Sequence, residues 1–96
     1  MKLGIEFDEG NKVKLTKHGL SIAEIERFFE NQPVYTHDDS HSGDETRFIA
    51  FGSLGTRLVF VAFTIRAANG TLWMRPISAR YARQKEIRKL YEKNFK

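Results

Sequence analysis

The dipeptide Asn69-Gly70 constrains the fold more than any other feature of this sequence. It separates two runs rich in strand-forming residues, RLVFVAFTIR at 57–66 and TLWMRPIS at 71–78. Asn-Gly is a preferred sequence for a two-residue hairpin turn, because both turn positions need a positive φ. The sequence therefore predicts that the two runs are neighbouring antiparallel strands.

The register of this hairpin brings four side chains together. With a two-residue turn, Arg66 lies opposite Trp73 and Thr64 lies opposite Arg75. A four-residue loop AANG would change the partners but keep the same faces together, since side chains alternate along a strand. In both cases the four side chains converge on one face of the sheet.

Helical signals precede the hairpin. A short strand is predicted over 2–7, and Asp8 can cap a first helix that ends at Gly19, because glycine tolerates the left-handed conformation of a helix end. The motif SIAE that begins at Ser21 is a capping box. Apolar residues follow it at helical spacing, so a second helix is predicted from 22 to about 31.

The remaining elements complete an α+β fold in a single domain, 1–96. Short strands are predicted at VYT and at RFIAFGSL, and the polar segment HDDSHSGDE between them is typical of a loop. Ser78 can cap a basic helix over ARYARQKEIRKLYEKNF. The sequence thus predicts two N-terminal helices, a central, mainly antiparallel sheet of about four strands, and a C-terminal basic helix.

Charge is distributed unevenly along the chain. The net charge is +4, but residues 75–96 hold eight Lys or Arg against two Glu, a net charge of +6, which leaves −2 on the first 74 residues. A basic segment on a slightly acidic body favours a polyanionic partner such as nucleic acid. The alternative is a well-solvated helix with a lysine-rich outer face.

Composition excludes several protein classes. Cysteine is absent, so neither a disulfide framework nor a thiolate metal site can form, which agrees with a reducing cytoplasm. The N-terminus MKLGIEFDEG has no apolar signal-peptide core, and no segment approaches the roughly 20 apolar residues of a membrane span. We expect a cytoplasmic protein with no membrane partner.

Two arginines on one strand face need an anion, because an unpaired buried guanidinium is costly. The chain offers three glutamates as partners: Glu6, Glu45 and Glu86. The alternative is a phosphodiester gripped by the planar forks of Arg66 and Arg75, with Trp73 as a stacking surface. Arg80, in the first turn of the predicted last helix, would strengthen such a site.

Metal chemistry has little support in the sequence. His18, His37 and His41, with Asp38 and Asp39, lack the tight spacing of metal ligands on a helix, and we expect no metal and no other cofactor. Metal-free RNA cleavage needs cations around the phosphorane and groups that move two protons. The arginines can supply the cations, and His18 is the best titrating group on offer.

Five motifs follow one another along the chain: KHGLSIAEIERFFENQP, ETRFIAFG, VAFTIR, RPISAR and a trailing E-x-R-x-x-Y. In this order and spacing they resemble the BrnT family of toxin ribonucleases, over about residues 7–91. The chain departs from the family pattern at Phe7, Pro76 and Arg83. Proline removes a ladder donor, so Pro76 predicts an edge or a bulge in its strand.

The resemblance implies a RelE-like fold and a metal-independent endoribonuclease that cleaves RNA through 2′-OH attack, inhibiting translation and growth. It also implies a ribbon-helix-helix antitoxin, similar to BrnA, which neutralises the toxin and links it to promoter DNA. Residues that match the family's motif positions are Lys17, His18, Glu45, Arg47, Thr64, Arg66, Arg75, Ser78 and Arg80. We assign catalysis to Arg66, Thr64, Arg75, Arg80, His18 and Lys17, and RNA binding to Trp73, Arg47, Arg83 and Glu45.

Two other interpretations stay open. One is a non-catalytic nucleic-acid-binding module, which predicts salt-sensitive binding without cleavage. The other is a degenerate toxin whose arginine cluster only binds its antitoxin partner.

Overall fold

A computed structural model describes residues 2–37 and 46–95. The elements are β1 (Lys2–Ile5), a 3₁₀ turn (Glu9–Asn11), α1 (Lys12–Thr16), α2 (Ile22–Glu30), β2 (Val34–His37), β3 (Arg47–Leu54), β4 (Arg57–Ala68), β5 (Thr71–Tyr81) and α3 (Gln84–Phe95). The predicted polar loop, with His41 and Glu45, lies almost entirely outside the described residues. No helix within them is long and apolar enough to cross a membrane.

The strands form one mixed sheet in the order β1-β5-β4-β3-β2. Strand β1 runs parallel to β5, and the other neighbouring strands are antiparallel. The α+β class is confirmed, but about four strands is wrong, since the described residues form five. The predicted strand before the two early helices is confirmed as β1, which is shorter than predicted. The pairing of β1 with β5 joins residues about 70 apart and has no local sequence signature.

Helix α2 begins as the sequence predicts. The Ser21 hydroxyl accepts from the Glu24 amide at 3.1 Å, and the Glu24 carboxylate accepts from the Ser21 amide at 3.0 Å. These bonds lower the pKa of Glu24 below its ordinary value. Ile25, Phe28 and Phe29 form its buried face, as the helical spacing of these residues predicts.

The first helix is shorter than predicted. Asp8 caps the 3₁₀ turn by accepting from the amide of Gly10 at 2.9 Å, and α1 then covers only Lys12–Thr16. Gly19 has a φ of 95°, a conformation that glycine adopts without strain. Asp8 is confirmed as a cap, but it caps the 3₁₀ turn, and the predicted helix end next to Gly19 is wrong, since α1 ends at Thr16.

The β4–β5 hairpin has the predicted register. Asn69 and Gly70 have φ angles of 53° and 76°, the positive values of a two-residue turn. Thr64 lies opposite Arg75, and Arg66 lies opposite Trp73. The alternative four-residue loop is therefore excluded.

Strand β5 continues where the sequence predicts a helix. Arg80 pairs with Phe60 and Tyr81 pairs with Val59, and α3 begins only at Gln84. Ser78 is thus a strand residue rather than a helix cap, and Arg80 does not lie in a helical first turn. The 12-residue β4 provides backbone hydrogen-bond partners for β5 as far as Tyr81. This strand pairing outweighs the helix-capping signal, which came from Ser78 alone.

Helices α1 and α2 cover one face of the sheet, which we call the core face. The buried residues of the core come from both layers: Leu15, Leu20, Ile25, Phe28, Phe29, Ala50, Val59, Val61, Phe63, Met74 and Ala79. The rings of Phe29 and Phe63 meet edge to face, with 6.0 Å between their centroids. Because side chains alternate along strands, the residues between these on β4 point to the opposite face.

Candidate active site

The face opposite the core carries the arginines. Directly paired residues on neighbouring strands point to the same side of a sheet. Thr64 is paired with Arg75 on one side and with Arg47 on the other, and Arg66 is paired with Trp73. We call this surface the arginine face, defined by Arg47, Thr64, Arg66, Trp73, Arg75, Ser78 and Arg80.

A β-bulge at Ile77 puts Arg75 and Arg80 on the same face. These arginines are five residues apart, and strict alternation would point them to opposite faces. The register shifts by one here: Pro76 pairs with one β4 residue, Ser78 pairs with its neighbour, and Ile77 is the extra residue between them. The bulge that Pro76 predicts is confirmed, and it gathers arginines from both ends of β5.

Asn11 supports the bulge from outside the sheet. Its side-chain amide donates to the carbonyl oxygens of Pro76 at 3.2 Å and Ile77 at 3.4 Å. Strand β1 ends its pairing with β5 at Met74. Asn11 therefore provides the donors that a neighbouring strand would otherwise supply at this edge.

Arg66 and Arg75 share the carboxylate of Glu6. Nη2 of Arg66 donates to Oε2 at 2.8 Å, and Nε of Arg75 lies 3.4 Å from Oε1. Asp8 adds a second carboxylate, with Oδ2 3.9 Å from Nη2 of Arg75. Two guanidinium groups thus face two carboxylates, and the formal charge of the cluster is balanced. Of the partners considered from sequence, Glu6 is the one that meets both arginines.

Arg75 has a donor that this arrangement leaves unused. Its Nε is buried and has no hydrogen-bond partner within residues 2–37 and 46–95. A cavity of about 90 Å³ adjoins it, lined by Glu6, Asp8, Asn11, Thr64, Arg75, Pro76 and Ile77. A buried donor without a partner costs about 1–3 kcal/mol, so this position favours an anion that would complete its bonding.

Trp73 lies over the backbone of Gly4. A Cβ atom built at position 4 would be 2.6 Å from Cζ3 of the indole, well inside van der Waals contact. Only glycine leaves room for this approach. The β1 strand therefore fixes the half-buried indole beside Arg66.

Arg80 joins the arginine face to α3. Its Nη1 donates to Glu86 at 2.6 Å and its Nη2 donates to the other carboxylate oxygen, while the amide of Arg83 donates to Glu86 at 2.9 Å. The Arg80 bonds are the main cause that lowers the pKa of Glu86 from 4.5 to about 2. The same pairing raises the pKa of Arg80. This fork-to-fork pair anchors the first turn of α3.

A family model described as "Ribonuclease toxin, BrnT, of type II toxin-antitoxin system" matches residues 7–86. The chain belongs to the BrnT family. Family membership makes it a ribonuclease toxin of a type II system, with RNA as the target and a protein antitoxin as the partner. A comparison with curated proteins found no match.

This BrnT family member has a larger cavity on the arginine face, of about 290 Å³. It is lined by Arg47, Ile49, Phe60, Ala62, Ser78, Arg80 and Glu86. The guanidinium of Arg80 lies 5.2 Å from the centroid of the Phe60 ring. The sequence analysis did not predict that apolar side chains line this cavity. Alternation along β4 could have indicated it, because Phe60 and Ala62 lie on the same face as Thr64.

Four further residues were predicted for the BrnT site: Lys17, His18, Arg83 and Glu45. Lys17 and His18 are exposed at the end of α1, and no hydrogen bond or ion pair joins either to an arginine in the described parts of the chain. Arg83 is exposed just before α3. Glu45 lies outside the described residues.

Asp8 and Asn11 contact the arginine cluster and the bulge in ways that the sequence did not reveal. Asp8 was predicted only as a helix cap, and its second oxygen faces Arg75. Asn11 lies 65 residues from Pro76 in sequence, so no local pattern could have linked them. Within the described residues, no group of three or more His, Asp or Glu is placed to hold a metal ion.

Proposed function

We propose that this BrnT family member is a metal-independent endoribonuclease that binds the scissile phosphate of RNA between Arg66 and Arg75. The 2′-oxygen attacks phosphorus, the bond to the 5′-oxygen breaks, and the products are a 2′,3′-cyclic phosphate and a 5′-hydroxyl. The observation that carries the proposal is the register of β4 with β5, which places Arg66 and Arg75 on one face of the sheet, and the bulge at Ile77 adds Arg80 to that face.

The arginines supply electrostatic stabilisation. Negative charge grows on the phosphoryl oxygens as the phosphorane forms, and prepositioned cations lower the energy of that state more than of the substrate. Arg75 is the best placed, because its Nε is buried and has a free donor. Thr64, 4% exposed and paired with Arg75, holds a hydroxyl beside the same cavity.

Neighbouring nucleotides would occupy the rest of the arginine face. Trp73 offers an indole for base stacking. On the other side of Thr64, the larger cavity is lined by apolar side chains, by Arg47, and by Arg80 with its partner Glu86. This combination suits a nucleotide, whose base is apolar on its faces and whose phosphate is anionic.

Proton transfer is proposed for His18, with Lys17 beside it. The support is the sequence motif and the chemistry of imidazole, which can accept and donate a proton. Replacing His18 by alanine is expected to lower the cleavage rate and to change its dependence on pH. A pH–rate profile that stays unchanged in His18→Ala would exclude it.

The antitoxin partner is proposed to be a ribbon-helix-helix protein that connects the complex to promoter DNA. The support is the resemblance of the chain's motifs to BrnT toxins. Copurification of the chain with the product of a neighbouring gene, followed by a promoter-binding assay with and without that product, tests both parts.

The deciding experiment is cleavage of labelled RNA in EDTA by the wild type, Arg66→Ala and Arg57→Ala. Arg57 is a matched control, because it lies on the same strand, points to the core side and stacks on Tyr81 at 3.6 Å. We expect the wild type and Arg57→Ala to cut, leaving 2′,3′-cyclic phosphate ends, and Arg66→Ala to lose at least about a hundredfold in rate, since a single charge-stabilising group contributes this much.

Other results would point elsewhere. Cleavage by the wild type only after a divalent metal is added would exclude the metal-independent mechanism. Salt-sensitive RNA binding without cleavage would instead favour a nucleic-acid-binding module. Cleavage by folded Arg66→Ala at the wild-type rate would show that the scissile phosphate does not bind between Arg66 and Arg75.

A further inference from the structure

Glu6 occupies the position that the proposed function gives to RNA. Its carboxylate lies between Arg66 and Arg75, at 2.8 and 3.4 Å. We propose that Glu6 is a resident counter-ion of the phosphate site, and that the RNA phosphodiester displaces it from the two arginines. The inference rests on the proposed function and adds a residue that controls substrate affinity.

Of the two carboxylates in the cluster, Glu6 is the one free to leave. The Asp8 carboxylate also caps the 3₁₀ turn through Gly10, so moving it would break a local structural bond. The carboxylate of Glu6 has no partners among the described residues other than Arg66 and Arg75. Its amide is bonded to Met74, and this backbone bond is unaffected when the side chain rotates away.

Solvent exposure makes the displacement inexpensive. The side chains of Arg66 and Glu6 are 55% and 31% exposed. Ion pairs at such positions contribute only about 0–1 kcal/mol, because water screens them. A phosphodiester can therefore compete with Glu6 for the same donors.

The charge of the site changes in the direction that RNA binding requires. With Glu6 in place, two arginines face two carboxylates, and an added phosphate would meet a neutral cluster. With Glu6 rotated away, Arg66, Arg75 and Asp8 leave a net charge of +1, which matches one phosphodiester. The phosphate can also reach the free Nε of Arg75, which Glu6 approaches to only 3.4 Å without a hydrogen bond.

The test is binding of a non-cleavable, 2′-O-methyl RNA by the wild type, Glu6→Gln and Glu26→Gln, each checked for folding by circular dichroism. Glu26 is exposed on α2, which covers the core face, so its substitution removes the same charge far from the arginines. We expect Glu6→Gln to bind about five- to tenfold more tightly than Glu26→Gln, since a competing carboxylate near the phosphate is lost.

Salt dependence gives a second readout that a purely structural role would not change. Each phosphate neutralised on single-stranded nucleic acid contributes about −0.7 to the slope of log K against log salt concentration. Glu6→Gln is expected to steepen this slope by up to about one such increment. Equal affinity and equal slope in Glu6→Gln and Glu26→Gln would overturn the inference.

Cleavage kinetics separate the remaining possibilities. A lower KM for Glu6→Gln with cleavable RNA supports displacement. A loss of kcat of about a hundredfold or more at unchanged affinity would identify Glu6 as a general base instead. RNA that binds neither the wild type nor Glu6→Gln would overturn the proposed function together with this inference, whereas binding by Glu6→Gln alone would support both.

Discussion

Glu86 serves three groups with one carboxylate. It accepts hydrogen bonds from both terminal nitrogens of Arg80 and from the amide of Arg83. These bonds link the arginine face to the first turn of α3. These bonds require the ionised carboxylate, and they are the reason for its low pKa. The Arg80–Glu86 pair is therefore a structural contact whose strength depends on pH.

Stability should reflect this titration. Because the pKa of Glu86 is lowered to about 2 in the folded protein, its contribution is complete above 4.5 and is lost as the pH falls through about 2. Glu86→Gln should cost about 1–2 kcal/mol at neutral pH, a value reduced for the partial exposure of both side chains. Urea unfolding of both proteins from pH 7 to pH 2 measures the difference, which should shrink toward zero at the acid end. A difference independent of pH would contradict this.

Gly4 makes a second single-residue prediction. Gly4→Val places atoms where the indole of Trp73 now lies, so the ring must move away from β1. Trp73 is the single tryptophan of the chain, and its fluorescence reports this movement directly as a shift in emission and as weaker quenching by RNA. Gly10→Ala, whose Cβ would make only an ordinary 3.5 Å contact with Asp8, is the control and should leave the emission unchanged.

At the scale of elements, the sequence predicted structure that depends on neighbouring residues and missed structure that depends on pairing between distant strands. The Asn69-Gly70 turn and the Ser21 capping box were readable because all their contacts lie within a few residues. The continuation of β5 to Tyr81 was not readable, because its partner is β4 across the sheet. The parallel pairing of β1 was hidden for the same reason, so the sequence could name Glu6 only as one of three possible partners of the arginines.

The bulge is the element on which the arginine face depends, and Asn11 is its external support. Asn11→Asp replaces two donors by acceptors that face the carbonyls of Pro76 and Ile77. We expect a loss of about 1–3 kcal/mol in unfolding free energy, from unpaired carbonyls and their repulsion. Asn11→Ala should lose less. Thermal unfolding of both variants checks the order, and equal stabilities would show that the amide does not support the bulge.

At the scale of the whole molecule, the two faces of the sheet have different roles. One face is packed by helices and contains most of the buried residues, while the other holds the charged groups in contact with solvent. Substitutions on the two faces should therefore have separable effects.

Phe28→Ala and Arg66→Ala test this division. Phe28 is 1% exposed in the core. Phe28→Ala should lower the free energy of unfolding by about 3–5 kcal/mol, because it leaves a cavity. Toxicity in growing cells should fall because little folded protein remains. Arg66→Ala should also abolish toxicity but keep the unfolding free energy within about 0.5 kcal/mol of the wild type. Growth assays combined with circular dichroism distinguish them. A folded Arg66→Ala protein that still arrests growth would contradict the assignment.

The pairing of β1 with β5 also determines at what point of synthesis the sheet can be completed. Strand β1 is synthesised before its partner β5, and Glu6, Arg66 and Arg75 can meet only after residue 75 has emerged from the ribosome. A nascent chain that stops before the hairpin lacks both the completed sheet and the arginine face. A chain that ends before residue 75 is therefore expected to lack the proposed phosphate site.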